Sequence, residues 1–541
     1  VRKPENALLV ALIVWHLVPI WVFVYFPSQD GGEHINNANI LRRYFTPSGA
    51  LFREYFVLNR NPDPNWLGHA ILVILMSVLP SNLAEKALLT VYVVAFPVSV
   101  RYALRAIRPD AGWVAVFSFS FVWNFLVHMG FWNYALSLPL FFFVVGYWTY
   151  HRSDFGLRQS VALTALSLLL YFAHPVSYTL AVAYIALLGA CLTLIQGVLL
   201  VGTRQFTVRG LWKGVRHRLA TPFYALSPSL GLFLAFVGRR PSDWGPPGPD
   251  LWKRLRTLDS LIAYQESEVR LTTAVVWVFV ATGIALLLFK VWRRRITAWD
   301  GILAMVAVVI ALYFRVPEVM AGGGSFVSHR LNLMAYLALI LWFGAQTYHR
   351  VARWVVYGVV AALSVVLTAY RLPKYAELND YLAELMSAEP YIERYSTFLP
   401  LIYSYQGLDP SGYFLSTRTG PFIHVTGRIA ASRNAVELEN YEANTGYFPM
   451  IWRHERNPYV HISVAPGTVS SLPPSVDFLS YPAKTKGRVD YVLLWNYRPD
   501  ESEPVQAVFR QLAMGYDLIY TSPKRGYVAV YRRKDLAPKL Q

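Results

Sequence analysis

Long apolar runs recur along this chain, and a single globular core cannot bury that much apolar surface. Each run is about 16 to 24 residues long, the length a helix needs to cross a ~30 Å hydrocarbon layer. They fall at residues 7–26, 85–104, 112–128, 131–150, 157–173, 176–200, 219–238, 271–292, 300–315, 331–348 and 350–370. The pattern predicts a polytopic α-helical membrane protein of about 11 spans. Of the 541 residues, 55% are hydrophobic and 15% aromatic, a composition that excludes an ordinary soluble enzyme. The first run holds His16 and Pro19 and lacks a small-residue cleavage site, so it reads as a retained span and not a signal peptide. The single cysteine, Cys191, lies within an apolar run; it allows no disulfide within the chain and reads as a small buried residue.

The formal net charge of +18 raises the question of nucleic acid, and its distribution answers it. With Arg2 and Lys3 in the cytoplasm, alternate loops fall inside. They carry Arg101, Arg105 and Arg108, then Arg152 and Arg158, then Arg204, Arg209, Lys213, Arg216 and Arg218, then Lys290 to Arg295, then His349 to Arg353. The excess therefore orients helices by the positive-inside rule, and no nucleic-acid partner is expected. The same count makes residues 67–80, "LGHAILVILMSVLP", a re-entrant or interfacial helix, with a tilted crossing as the alternative. Residues 1–370 then form a transmembrane domain whose long first outer loop is 27–66, and residues 371–541 form an outer, soluble α/β domain. In that tail "AELNDYLAELM" and "EPVQAVFRQLA" have helical spacing, "FLPLIYS" and "VDYVLLWNY" read as strands, and "YDLIYTSPKRGYVAVYRR" reads as a hairpin.

The outer face collects the side chains that can do chemistry. "SQDGGEH" presents Asp30, Glu33 and His34 directly after the first span. If a helix begins at Gly31, Asp30 sits at its N-terminus and Glu33 shares a face with Asn37. Asp63 and His69 end the same loop, and His128, His174 and His329 each end a span on that side. Ionisable groups at a membrane edge are costly and mark functional pathways, so together they suggest a polar cavity that binds substrate. Clustered carboxylates raise each other's pKa, which suits one of them to act as a base. Carboxylates and imidazoles also suit a divalent cation, although no tight motif such as HExxH is present. For a bound phosphate the candidates are Arg330 with His329, after the flexible "GGGSFVS", and the pair Arg239 and Arg240. The stretch "DLWKRLRTLDSLIAY" reads as interfacial, with Trp252 and Lys253 at headgroup depth.

With its first span, its long outer loop opening on Asp30 and its outer C-terminal domain, the chain resembles the type-C glycosyltransferase superfamily over its whole length. "NNANILRRYF" and "GALFREYFVL" match the interfacial helices of that family's loop, and "VELENYEANTGYFPMIW" resembles bacterial members of the same broad type. The resemblance implies an inner-membrane enzyme that moves a sugar from a polyprenyl-phosphate donor to a glycan, lipid or protein acceptor. It implies Asp30 as the base, with Glu33 as the neighbour able to replace it, since Gly31 and Gly32 separate acids that many members keep adjacent. No resident cofactor is implied. The alternatives are a non-catalytic subunit working with partner subunits and a lipid or solute transporter, although no inverted repeat is visible.

Overall fold

The computed structural model describes residues 2–202, 207–240, 245–294, 296–319, 324–498 and 501–536. Arg204, Arg295, Gly322 and Gly323 lie outside the described residues. The chain is mostly helical, and among the described residues seven helices are long and apolar enough to cross a membrane: Pro4–Trp21, Ser81–Ile107, Pro175–Ile195, Val208–Gly238, Glu266–Arg293, Ala298–Arg315 and Arg350–Tyr391. It is a helical membrane protein with a small sheet near its C-terminus. Helices Trp132–His151 and Val327–Ala345 are buried on nearly every side by their neighbours, which is why they are apolar all round.

Residues 112–128 and 31–44 differ from the sequence pattern, while 67–80 forms a helix too short to cross, in keeping with it. Residues 112–128 do not form one α-helix: a 3-10 run, Ala111–Phe121, is followed by the short helix Phe125–His128. Asn124 divides them, its side-chain oxygen accepting the Val127 N–H at 3.2 Å as a helix cap. At about 2.0 Å per residue a 3-10 run covers more distance than an α-helix. Residues 67–80 form only the helix Leu67–Leu75, which stops before Pro80 and the next span. Helix Gly31–Tyr44, read from sequence as interfacial, is buried from Gly31 to Ile40. It lies between helix Leu67–Leu75 and helix Gly427–Arg433.

Among the described residues seven strands follow the chain as β1 (Phe56–Leu58), β2 (Thr397–Ile402), β3 (Val436–Glu437), β4 (Met450–Trp452), β5 (Tyr491–Trp495), β6 (Tyr516–Thr521) and β7 (Val528–Arg533). Five form a mixed sheet in the order β3-β2-β5-β7-β6, parallel from β3 to β5 and antiparallel from β5 to β6. The hairpin read from "YDLIYTSPKRGYVAVYRR" is β6–β7. β2 and β5 are buried along their whole lengths, as central strands covered on both faces should be. The alternation decides what each face touches. Tyr491, Leu493 and Trp495 join the core of the helix bundle, while Val492 and Leu494 join a second core behind the sheet. The sheet therefore shares its core with the membrane helices.

The boundary placed at 370/371 falls inside one continuous helix, Arg350–Met386. The first long loop is also joined to the C-terminal part: β1 pairs antiparallel with β4, Phe56 opposite Trp452 and Leu58 opposite Met450.

Candidate functional site

The stretch after the first span is fixed by backbone before any side chain acts. Gln29 N–H donates to His128 O at 3.0 Å, and Asp30 N–H donates to Met129 O at 3.1 Å. The turn that receives them needs Gly130, whose φ is +80° and whose missing Cβ leaves room for Asp30 N and Gly31 N. Gly32 faces the backbone of His424 so closely that a Cβ would stand 2.2 Å from its carbonyl oxygen. Gly32 thus lets helix Gly31–Tyr44 press against residues 424–427, while Gly31 makes room for Ser28 and Trp132. That contact aims Glu33, His34 and Asn37 at the segment "VELENYE", residues 436–442.

There the carboxylates gather. Asp30 does not cap its helix; its Oδ2 accepts the Tyr441 hydroxyl at 2.8 Å, and its Oδ1 has no hydrogen-bond partner. His424 Nε2 stands 3.9 Å from Asp30 Oδ1, while His424 Nδ1 meets Glu439 Oε2 at 3.0 Å. Glu439 Oε1 also accepts from Tyr459 at 3.0 Å and from Ser470 at 2.6 Å. Glu33 lies against Glu437, which accepts from Asn36 at 3.2 Å and from the Thr426 hydroxyl. His34 Nδ1 meets Glu442 Oε1 at 2.8 Å, His69 Nε2 meets Glu442 Oε2 at 3.0 Å, and Asn37 donates to the same Oε2 at 2.8 Å. Glu33, His69 and Glu442 are fully buried.

Charge follows from this packing. Burial raises Asp30, and His424 and Tyr441 oppose part of that rise. Burial and the facing carboxylates of Glu437, Glu439 and Glu442 push Glu33 well up, and the Glu33–Glu437 pair resists full ionisation. Burial alone would lower His424, but Glu439 and then Asp30 outweigh it and carry the imidazole up to about 9. Burial would raise Glu442 as well, yet His34 and His69 hold it below the usual carboxylate range. The cluster is an array of acids with graded proton affinity.

Of the residues singled out by sequence, Asp30, Glu33, His34 and His69 meet here. Asp63 does not: it is buried in an ion pair with Arg239 Nη2 at 2.5 Å and Arg240 Nη2 at 3.9 Å, so the expected substrate acid and the expected phosphate cations partner one another. His128 is a satisfied core histidine, Nδ1 on Asn124 O and Nε2 on the Tyr375 hydroxyl, each at 2.7 Å. His174 Nδ1 accepts the Val176 N–H at 3.2 Å, closing the start of the helix that follows. His329 faces two carboxylates, Asp259 at 2.9 Å and Glu318 at 3.5 Å. Arg330 differs from all of these. It is buried, it bonds the Ser325 carbonyl, it stacks over Phe131 and Tyr134 at 5.1 and 5.5 Å, and among the described residues it has no carboxylate partner. Tyr447 connects it to the cluster, since Arg330, Arg240, Glu442 and Asp30 all act electrostatically on the Tyr447 hydroxyl.

The residues missed from sequence are Glu437, Glu439, Glu442, His424 and Tyr441. Their signal was the alternation in "VELENYE": Val436 and Leu438 enter the core behind the sheet, while the glutamates between them are buried on the other side. Acids buried along one face of a strand require a polar surface opposite, and helix Gly31–Tyr44 is that surface. A cavity of about 490 Å³ lies on the far side of this helix, lined by Arg42, Arg43, Arg394 and Arg428, with Arg428 paired to Glu85. No family model matches the chain, and no curated protein matches it.

Proposed function

We propose that the chain is a membrane glycosyltransferase of the type-C kind, with about 11 membrane crossings. In this reading the sheet lies outside the bacterial inner membrane, and the sugar comes from a polyprenyl-phosphate donor. Asp30 is the base: its Oδ1 carries a free lone pair, and Tyr441 and His424 fix its orientation. An acceptor hydroxyl gives its proton to Asp30 Oδ1 as its oxygen bonds the anomeric carbon. The bond from that carbon to the phosphate oxygen breaks, and the departing phosphate is stabilised by Arg330. The observation that carries the reading is a pair of buried groups, Asp30 Oδ1 without a hydrogen-bond partner and Arg330 without a carboxylate partner among the described residues.

The alternative of a non-catalytic subunit draws on a different observation, the closure of the cluster: Asp30 is only 3% exposed. One experiment separates the two. Asp30→Asn is expected to keep its thermal unfolding and its bound polyprenyl phosphate, measured by native mass spectrometry, and to lose transfer by about 10²–10⁴-fold. Undiminished transfer refutes Asp30 as the base. A wild-type protein with no polyprenyl phosphate and a stoichiometric protein partner favours the subunit.

A further inference from the structure

We propose that His34, His69 and Glu442 bind a divalent transition-metal ion of the zinc class. The three ligands come from three helices, Gly31–Tyr44, Leu67–Leu75 and Glu442–Thr445, and their donor atoms all lie within 4.8 Å of one another. The ring nitrogens His34 Nδ1 and His69 Nε2 are 3.2 Å apart, and the glutamate oxygens approach them at 2.8 and 3.0 Å. A tetrahedral zinc with bonds of about 2.0–2.1 Å sets neighbouring donors about 3.3 Å apart. The spacing is close to that of a ligand shell.

Hydrogen bonding accounts for it poorly. Each meeting nitrogen carries at most one proton. If both are protonated, two N–H donors face each other at 3.2 Å. If only one is protonated, the other nitrogen turns a lone pair toward the carboxylate. Protonating both imidazoles gives each one a carboxylate oxygen only by holding two like N–H groups side by side, and Glu442 Oε1 ends without a well-aligned hydrogen bond although its side chain is fully buried. A cation at the centre satisfies every donor atom at once.

The outer contacts agree. Metal-bound histidines donate their second ring nitrogen to a carbonyl or carboxylate. His69 Nδ1 bonds Asn65 O at 3.3 Å, and His34 has the Gly130 carbonyl as its backbone partner. Asn37 holds Glu442 Oε2 from behind at 2.8 Å and is itself held by Asn440 at 2.9 Å. Two imidazoles and one carboxylate are the donor set of open zinc sites, which leave a fourth position free. Asp30 stands close enough to His34 and Glu442 for their charges to act on it.

The test is metal binding by the full chain in detergent, read without any transfer assay. After chelator treatment, Co²⁺ titration of the wild type should show one saturable ion per chain by its ligand-field absorption. Zn²⁺ should displace it and raise the unfolding temperature. His69→Ala should abolish the absorption, and Asn37→Ala should weaken binding by about 10–100-fold. Glu442→Gln, nearly isosteric, serves if His69→Ala does not fold, and should also abolish it. The surface histidines His454 and His461, with rings 6.3 Å apart, are the adventitious alternative, so their double alanine variant should retain the ion. A wild type without saturable Co²⁺ binding, or binding that survives both His69→Ala and Glu442→Gln, overturns the proposal.

Discussion

Replacing Gly32 by alanine tests whether the close approach of two backbones builds the acidic cluster. A Cβ on Gly32 would stand 2.2 Å from His424 O and 3.1 Å from Val425 Cα. Both obstacles are backbone, so no side chain can rotate out of the way. Restoring ordinary contact requires helix Gly31–Tyr44 to withdraw from residues 424–425 by about 1 Å, an overpacking that costs about 1–3 kcal/mol. Against this, alanine gains at most about 1 kcal/mol of helix propensity, and less so near a helix start. The steric cost outweighs the gain in propensity, and Gly32→Ala should lose about 1–2 kcal/mol of stability. Gly231 supplies the control. It lies inside helix Thr221–Gly238, and its Cβ would meet nothing within 4 Å, so Gly231→Ala should be neutral or stabilising. Intrinsic tryptophan fluorescence during heating in detergent reads both variants. The reasoning fails if Gly32→Ala unfolds at or above the wild-type temperature, or if the two substitutions act alike.

Arg371→Met should be far more damaging. Arg371 reaches Glu268 at 2.7 Å, Trp123 O at 2.5 Å and the Leu261 carbonyl, and its loss leaves the Glu268 charge buried without a cation. A destabilisation of about 3–5 kcal/mol is expected, with partial recovery when Glu268→Gln is added; an unchanged unfolding temperature, or no recovery, counts against it. His424 gives a pH dependence whose sign is fixed by its raised pKa. An imidazole carried from 6.5 to about 9 stabilises the fold fully below pH 6.5, and that contribution fades as pH rises through 9. It amounts to about 3 kcal/mol at most. The wild-type unfolding temperature should therefore fall across that window more steeply than that of His424→Gln, and equal slopes would exclude the assignment.

Much of the bundle was legible because its signal is local. A run of apolar residues must be helical in lipid, and its length fixes the crossing. The failures mark where partners distant in sequence decide. At 111–121 the chain adopts a buried 3-10 path, and no periodicity in "AGWVAVFSFSF" distinguishes that from an α-helix. Asp63 and Arg239, 176 positions apart, looked like separate sites and cancel each other. Asp30, Glu33, His34 and His69 were readable as chemistry because acids and imidazoles crowd one loop. Their partners were not, since 401 positions separate Asn36 from Glu437 and 373 separate His69 from Glu442.

That separation also explains why the site cannot belong to the helices or to the sheet alone. Helix Gly31–Tyr44 is polar on the face toward Glu437 and Glu442, and burying that face in lipid would leave Asn36 and Asn37 unsatisfied. The segment 436–442 would likewise expose its acids to one another without His34, His69 and Asn37 to compensate them. Each half is therefore unstable as a surface and satisfied only as an interface. The β1–β4 pairing, the continuous helix Arg350–Met386 and the core that the sheet shares with the bundle all act to keep that interface closed. The sheet is accordingly an integral wall of the cluster, and cutting the chain at 370 would remove Glu437, Glu439 and Glu442 and leave Glu33 facing solvent or lipid with no partner.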